Sequence, residues 1–550
     1  MARLTLILGV LAMVVYLLDG FRFMLNEWRN WRNKGKWVVV VILCMVPSIA
    51  DAACSGSSPS WTAVSPGRTD VSDCVTAASN GDTINVPAGS ATWSSVLVVA
   101  KNLSIIGAGI GNTILTNDQP VTPDVGGDLF YFSPPYSQTL MTRLSGFTIT
   151  HNNGRGLRCA NSTQAPAVYL FRIDHIEFNS NGASNQSQAI ENFGCRGLID
   201  NNTFNNHIYV MRIGWGSTST GTFDWDNFTE LVHGSQDSMY VEDNIFTDLA
   251  TTLTNQDQAG RWVIRYNTIG GTGVGHFPHI DIHGGRPAGT IRGGFGGEIY
   301  GNTFSDEGNY FSHRGGRALM FYNQGKSTGG ATYKPFNDAG CPLETKEQMN
   351  NSYIFRNRKG ATGVLWNADT SGGSACAGDV VENEDWFIDN VANDGTVGVG
   401  AGTLASRPAT CTTGVGYWAT TQSITDLTGM VGKNPVTPIS GTLYKCTATD
   451  TWSVWSTPFT YPHPLQGAGQ TATTPVVIGR VIRWMEVAAF VTGIGWHFRR
   501  QVMAVSLAVL SWTVMVGQFT PRAYDTVKSV SRESAVKALT VFNHLTKPRK

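Results

Sequence analysis

Leu198-Ile199-Asp200-Asn201-Asn202-Thr203-Phe204 states a phrase that the chain repeats: an aliphatic residue, a variable one, an Asn, then another apolar residue. It returns as Tyr240-Val241-Glu242-Asp243-Asn244-Ile245-Phe246, as Val263-Ile264-Arg265-Tyr266-Asn267-Thr268-Ile269 and as Glu298-Ile299-Tyr300-Gly301-Asn302-Thr303-Phe304. Looser copies end at Asn323, Asn357 and Asn390, and Ile173 to Phe178 is an earlier copy without the Asn. The Asn positions from 202 to 390 lie 42, 23, 35, 21, 34 and 33 residues apart. Short intervals fit a bare coil of three strands, longer ones a coil with an insertion, and the longest leaves room for two coils. Recurrence of this order marks a solenoid.

Alternation within the phrase sends Ile199, Val241, Ile264 and Ile299 inward, where each stacks on its equivalent one coil away. Asn tolerates the left-handed backbone of a sharp corner, and a stacked amide can bond the backbone of the next coil. A β-sandwich is the competing reading, but it has no reason to repeat one corner residue seven times. The expected fold is all-β: a right-handed parallel β-helix solenoid over 54–405, a small disulfide-linked C-terminal module over 406–470 and a helical tail over 471–550.

The two ends and the cysteines speak to location. Trp37 to Ile49 is apolar, preceded by Arg29, Arg32, Lys34 and Lys36 and followed by Ala50-Asp51-Ala52, the pattern of a secretory signal starting at Met24. Residues 1–53 are therefore read as a hydrophobic leader and signal peptide, with Leu4 to Leu18 either an upstream extension or a short membrane segment. Beyond the leader, eight cysteines fall into sequential pairs, and an exported solenoid keeps its contacts local in sequence. The expected disulfides are Cys54–Cys74, Cys159–Cys195, Cys341–Cys376 and Cys411–Cys446. Val502 to Gly517 is nearly uncharged and flanked by basic residues, which suits either a short membrane anchor or an amphipathic helix. The expected location is extracellular or at the cell surface. The 40 basic residues are matched by 40 acidic ones, so the chain lacks the positive footprint that nucleic acid requires.

Asp70 to Leu115, with Asp82-Thr83-Ile84-Asn85-Val86-Pro87-Ala88-Gly89 and Leu103-Ser104-Ile105-Ile106-Gly107-Ala108-Gly109, resembles the opening coils of secreted β-helix proteins of the pectate-lyase-like superfamily. Gly260 to Thr268, His283-Gly284, Arg292-Gly293, Glu298 to Phe304 and Arg314-Gly315-Gly316 look like the middle coils of one subgroup. Cys411 to Leu465, with Gly416-Tyr417-Trp418-Ala419-Thr420 and Tyr461-Pro462-His463-Pro464-Leu465, looks like its ending. The resemblance spans residues 54 to 467. It implies the fold and export, and its subgroup has no settled activity.

Columns of outward side chains on a β-helix suit extended polysaccharides, and two groups are candidates for the chemistry. The repeat aligns Asp174, Asp200, Glu242 and Arg265 in one outward column, three carboxylates and a base, as a lyase using calcium would require. The second group is His276, His279, Asp281, His283, Arg286, Arg292, His313, Arg314 and Arg317, mostly within a Gly-rich insertion. His283, Arg286, Arg292, Arg314 and Arg317 are expected to line one lateral groove, with Arg265 beside it, and to grip the carboxylates of an acidic polysaccharide. Trp215, Trp225 and Trp262 are candidate stacking rings, and Asp224, Asp226 and Asp237 candidate carboxylates for glycoside hydrolysis. The expected function is a polysaccharide lyase acting on uronate glycans by β-elimination, against a non-catalytic surface β-helix that binds glycans. Outward strand positions are polar in any case, and loop histidines and arginines often serve only packing.

Overall fold

The computed structural model describes residues 54–467 apart from 121–126, 136, 138, 153, 161–167, 182–187, 215–231, 237, 251, 257–259, 272–279, 285–292, 306–310, 327–332, 337–347, 361–362 and 371–379. Those residues form a parallel solenoid. One coil runs Arg261–Arg265, Thr268–Gly271 and Ile280–Ile282; the next runs Gly296–Tyr300, Thr303–Phe304 and Phe311–His313. The first two strands of each coil belong to one large sheet, here the ladder sheet, and the third to a nine-stranded flank sheet. Each strand pairs in parallel with its equivalent one coil on, as in Ile264 opposite Ile299 and Ile280 opposite Phe311.

The Asn residues form a ladder along the corner between the first two strands. The backbone N–H of Asn202 donates to Asn244 Oδ1 at 2.9 Å, that of Asn244 to Asn267 at 3.0 Å, and that of Asn267 to Asn302 at 3.0 Å. Asn302 donates likewise to Asn323, and Asn323 to Asn357, both at 3.1 Å. Each side-chain amide donates backwards to the coil before, Asn267 Nδ2 to Val241 O at 2.9 Å for example. All six side chains are buried, so every polar group has a partner where water cannot supply one. Two details differ from the sequence expectation. The left-handed residue is the one before the Asn, namely Asn201, Asp243, Tyr266, Gly301, Tyr322 and Arg356; the Asn itself is spent on the ladder. Asn390 lies outside it and bonds Asp394 and Val397 in its own loop, while Asp389 receives the Arg356 N–H at the ladder's end.

Inside the coils Ile173, Ile199, Val241, Ile264 and Ile299 stack in register. Phe178, Phe204 and Phe246 stack beside them with centroids 5.0 and 4.8 Å apart. Trp262 also points inward and is fully buried, so it is not a sugar platform. Asp200 pairs directly with Glu242, which makes the 42-residue interval a single coil with a long insertion.

The first coil is capped, and the outer face of the ladder sheet is covered toward the other end. Helix Arg68–Ala77 buries Val71, Cys74 and Val75 over the first coils, tied by Cys54–Cys74. Cys159–Cys195 and Cys411–Cys446 also form, and three disulfides suit an oxidising compartment; Cys341 and Cys376 lie outside the described residues, as do the leader and the tail. Among the described residues no helix is long and apolar enough to cross a membrane. The C-terminal module is a four-stranded sheet that already begins at Val399–Gly402. It packs Trp418 against Phe321 and Phe355 on the outer surface of the ladder sheet.

Replacing Asn267 by Ala strands the buried Asn244 N–H, and is expected to cost about 3 kcal/mol of stability, read as a lowered urea midpoint. Asn390→Ala is expected to cost under about 1 kcal/mol. Equal shifts would contradict the ladder.

Candidate functional site

The register brings Asp174, Asp200, Glu242 and Arg265 into one outward column, one coil apart each. What they do there differs from the calcium expectation. Asp174 accepts from Arg143 Nε and Nη2 at 2.6 and 2.5 Å, Asp200 from Arg172 at 2.9 Å, and Glu242 from Arg265 at 2.6 Å. Burial pushes Asp174 up, but Arg143, His175 and Arg172 outweigh it and hold the carboxyl at about 2. Burial raises Asp200 and Glu242 against the pull of Arg172 and Arg265. The carboxylates are committed to guanidinium groups, and no open set of oxygens remains in the column for a hard cation. Among the described residues no group of three or more His, Cys, Asp or Glu is arranged to hold a metal ion.

The C-terminal segment lies across this column. Arg265 donates to the carbonyls of Phe459 and Thr460 at 2.7 and 2.8 Å, and Arg172 to that of Gln466 at 3.2 Å. Glu242 Oε1 accepts from the His463 N–H and from Gln466 Nε2, both at 2.9 Å. Arg265 is fully buried, so it has no access to a polysaccharide and cannot serve as its base.

The histidine and arginine group divides among several surfaces. His313 points inward, bonds Tyr333 Oη at 3.0 Å, and is lowered to about 4 by burial. Arg317 lies on the ladder sheet and donates to Asn350 at 2.9 Å. Asp281 and Arg314 meet on the flank sheet, with Arg314 Nε donating to Asp281 Oδ1 at 2.9 Å. His283 follows its strand beside them, one coil before Arg314, and its Nδ1 bonds Gly284 O at 2.7 Å. The single groove with Arg265 at its side is therefore not formed: Arg265 and Arg317 belong to the other sheet. His276, His279, Arg286, Arg292, Trp215, Trp225, Asp224, Asp226 and Asp237 lie outside the described residues.

The flank sheet carries a basic group that the repeat did not single out. Its outward column runs Tyr131, Arg158, Glu191, Arg212, Asn255, Asp281, Ser312 and Lys334, one residue per coil. Leu157 and Cys159 turn into the core on either side of Arg158, and Met211 and Ile213 on either side of Arg212. The guanidinium carbons of Arg158 and Arg212 lie 5.6 and 5.2 Å from the Phe193 ring, contacts that fix planar cations in place. Glu191 sits between them, 3.3 Å from Arg158 Nε and 3.8 Å from Arg212 Nη1. Arg158 keeps 12% of its side-chain surface exposed and Arg212 28%, while Arg158 Nε and Nη1 are buried without a hydrogen-bond partner. Beneath them Asp128 accepts from Arg155 Nε at 2.5 Å, and burial raises its carboxyl to about 6 despite that arginine. The positive charge of the cluster is thus held close to the surface by aromatic stacking and by buried acids. Alternation of Leu157, Arg158 and Cys159, repeated in Met211, Arg212 and Ile213, is the sequence signal that could have located it.

No protein-family profile matches the chain, and no curated protein matches it. Among solved structures, ORF18 of Geobacillus virus E2 is similar at 9% identity, covering 70% of this chain and 72% of that one, with a TM-score of 0.25. That likeness is too slight to carry an argument.

Arg265→Met is expected to destabilise the chain by about 3–5 kcal/mol, because Glu242 is left buried without its guanidinium. Combining it with Glu242→Gln should recover part of the loss, a coupling on the order of 1–3 kcal/mol in a double-mutant cycle. Calcium or a chelator should leave the unfolding midpoint of the unaltered chain in place; a calcium-dependent rise would restore the metal reading.

Proposed function

We propose that the chain is an exported glycan-binding β-helix that holds an acidic polysaccharide along the outward face of its flank sheet. The observation that carries this reading is the pair Arg158 and Arg212, oriented by Phe193 on one wall of a rigid solenoid. Guanidinium groups suit carboxylates and sulfates, and Arg212 is the more open of the two. A chain with no net charge gains its attraction for a polyanion from such a local field. Export is supported by the basic and apolar leader ending at Ala50-Asp51-Ala52 and by the disulfides. The resemblance of residues 54 to 467 to pectate-lyase-like β-helices supports a polysaccharide as the partner. Val502 to Gly517, with its basic flanks, would add a membrane contact.

Binding is preferred to β-elimination because the sequence-derived base, Arg265, is paired and covered. Among the described residues His283 is the base that a lyase would have left. The neighbouring arginine, Arg314, is engaged with Asp281 rather than directed at a substrate carboxylate.

Arg158→Ser and Arg212→Ser are each expected to weaken binding of a uronate polysaccharide about tenfold, or 1.4 kcal/mol. The loss should shrink as salt is raised. Incubation of the full chain with the same polysaccharide should release no unsaturated product, followed by ultraviolet absorbance. Product formation that His283→Ala abolishes would establish the lyase instead.

A further inference from the structure

On the outer face of the C-terminal sheet one arginine is held in place and left without an acceptor. Strand Gly416–Ala419 pairs with Thr442–Ala448, and that strand with Thr451–Ser456. Opposite residues of an antiparallel pair share a face. Tyr417, Tyr444 and Val454 therefore stand together, away from the Trp418 and Leu443 side that meets the solenoid. The segment ahead of these strands lies over that outer face. Its Thr403 and Pro408 carbonyls accept from Tyr417 Oη at 2.7 Å and from Trp452 Nε1 at 2.9 Å, and the Cys411–Cys446 disulfide ties its end. Arg407 sits within this pinned stretch. Its guanidinium carbon lies 4.4 Å from the centroid of the Tyr444 ring and 5.6 Å from that of Trp452.

Arg143, Arg172, Arg265 and Arg314 each meet a carboxylate. Arg407 meets none: among the described residues its guanidinium has neither an ion pair nor a hydrogen bond. The Tyr444 hydroxyl likewise has no hydrogen-bond partner there, and Val454, opposite Tyr444, is 63% exposed. Stacking on the rings fixes the plane of the cation and leaves its N–H edges for a ligand, and a planar fork of donors matches a carboxylate. A bare inorganic anion would use the guanidinium alone. A uronate sugar uses the neighbours as well, with a ring hydroxyl for Tyr444 and C–H surface for Val454. We infer that this face is a second ligand site, which takes a single uronate residue of a glycan through Arg407 and Tyr444. It uses neither Arg158 nor Arg212, so it stands or falls separately from the flank sheet.

Calorimetric titration of the full chain with trigalacturonate, a short oligomer of uronate sugars, tests this. The unaltered chain is expected to bind two equivalents, one on each face. Arg407→Gln should weaken one of them about tenfold, and Arg212→Ser should weaken the other. Tyr444→Phe keeps the stacking ring and removes only the hydroxyl, and should weaken the Arg407 site about threefold. Loss of one equivalent in each arginine variant supports both sites. Loss in Arg407→Gln with none in Arg212→Ser supports this site and removes the flank one. A titration that Arg407→Gln leaves unchanged overturns the inference while the flank reading stands, and so does an Arg407 site that Tyr444→Phe leaves at full strength. Absence of binding to the unaltered chain overturns both. Should Arg407→Gln fail to fold, Arg407→Lys keeps the charge without the planar fork, and a loss of about threefold is expected of it; an undiminished affinity in that variant overturns the inference equally.

Discussion

Everything in this fold hangs on a buried amide bonded to the backbone of the next coil. The corner of a parallel solenoid turns N–H and C=O groups away from the sheet ladder, and an unpaired one in the interior costs on the order of 1–3 kcal/mol. The Asn column meets that demand at each coil: Oδ1 accepts from the coil before, as when Asn244 N–H donates to Asn267, and Nδ2 reaches back to that coil's carbonyl. It also fixes register. A slip of one residue would remove the amide from its partners and turn Ile199, Val241 and Ile264 out of the core, so the outward columns are as well defined as the inward ones.

The two outward faces then take opposite fates. The ladder sheet presents a column of charges that the C-terminal segment covers, with Arg265, Arg172 and Glu242 bonding its backbone. Buried ion pairs are poor sources of net stability compared with apolar packing, but breaking one is costly. This arrangement specifies where the segment lies. The flank sheet instead carries Arg158 and Arg212, both partly exposed, between core-facing residues that are buried. That division makes one face an internal joint and leaves the other as the place where the proposed ligand would lie.

Much of this was legible in the repeat. The inward column, the Asn corner, the solenoid and the alignment of Asp174, Asp200, Glu242 and Arg265 all follow from one phrase read at period two, and the structure has them in that register. The cover over that column was not legible. It is made across separations such as 194 and 221 residues, and mostly by carbonyl and N–H groups that every sequence carries. The left-handed corner residues escaped because Asn201, Tyr266 and Arg356 share a place and no side-chain chemistry. Arg158 and Arg212 escaped for a related reason: the flank strands hold no corner Asn, so the phrase that orders the ladder sheet passes over them. The loop histidines and arginines drew attention by density alone, and density does not determine which sheet a residue joins.

Arginine-selective chemical modification of the full chain, read by mass spectrometry with and without a uronate polysaccharide, tests the central claim most directly. The account predicts that Arg212 reacts in the free protein and is shielded by the polymer, while Arg265 is unreactive in both states. Modification of Arg265 in the free protein, with shielding there and none at Arg158 or Arg212, would contradict it and return the binding site to the ladder sheet.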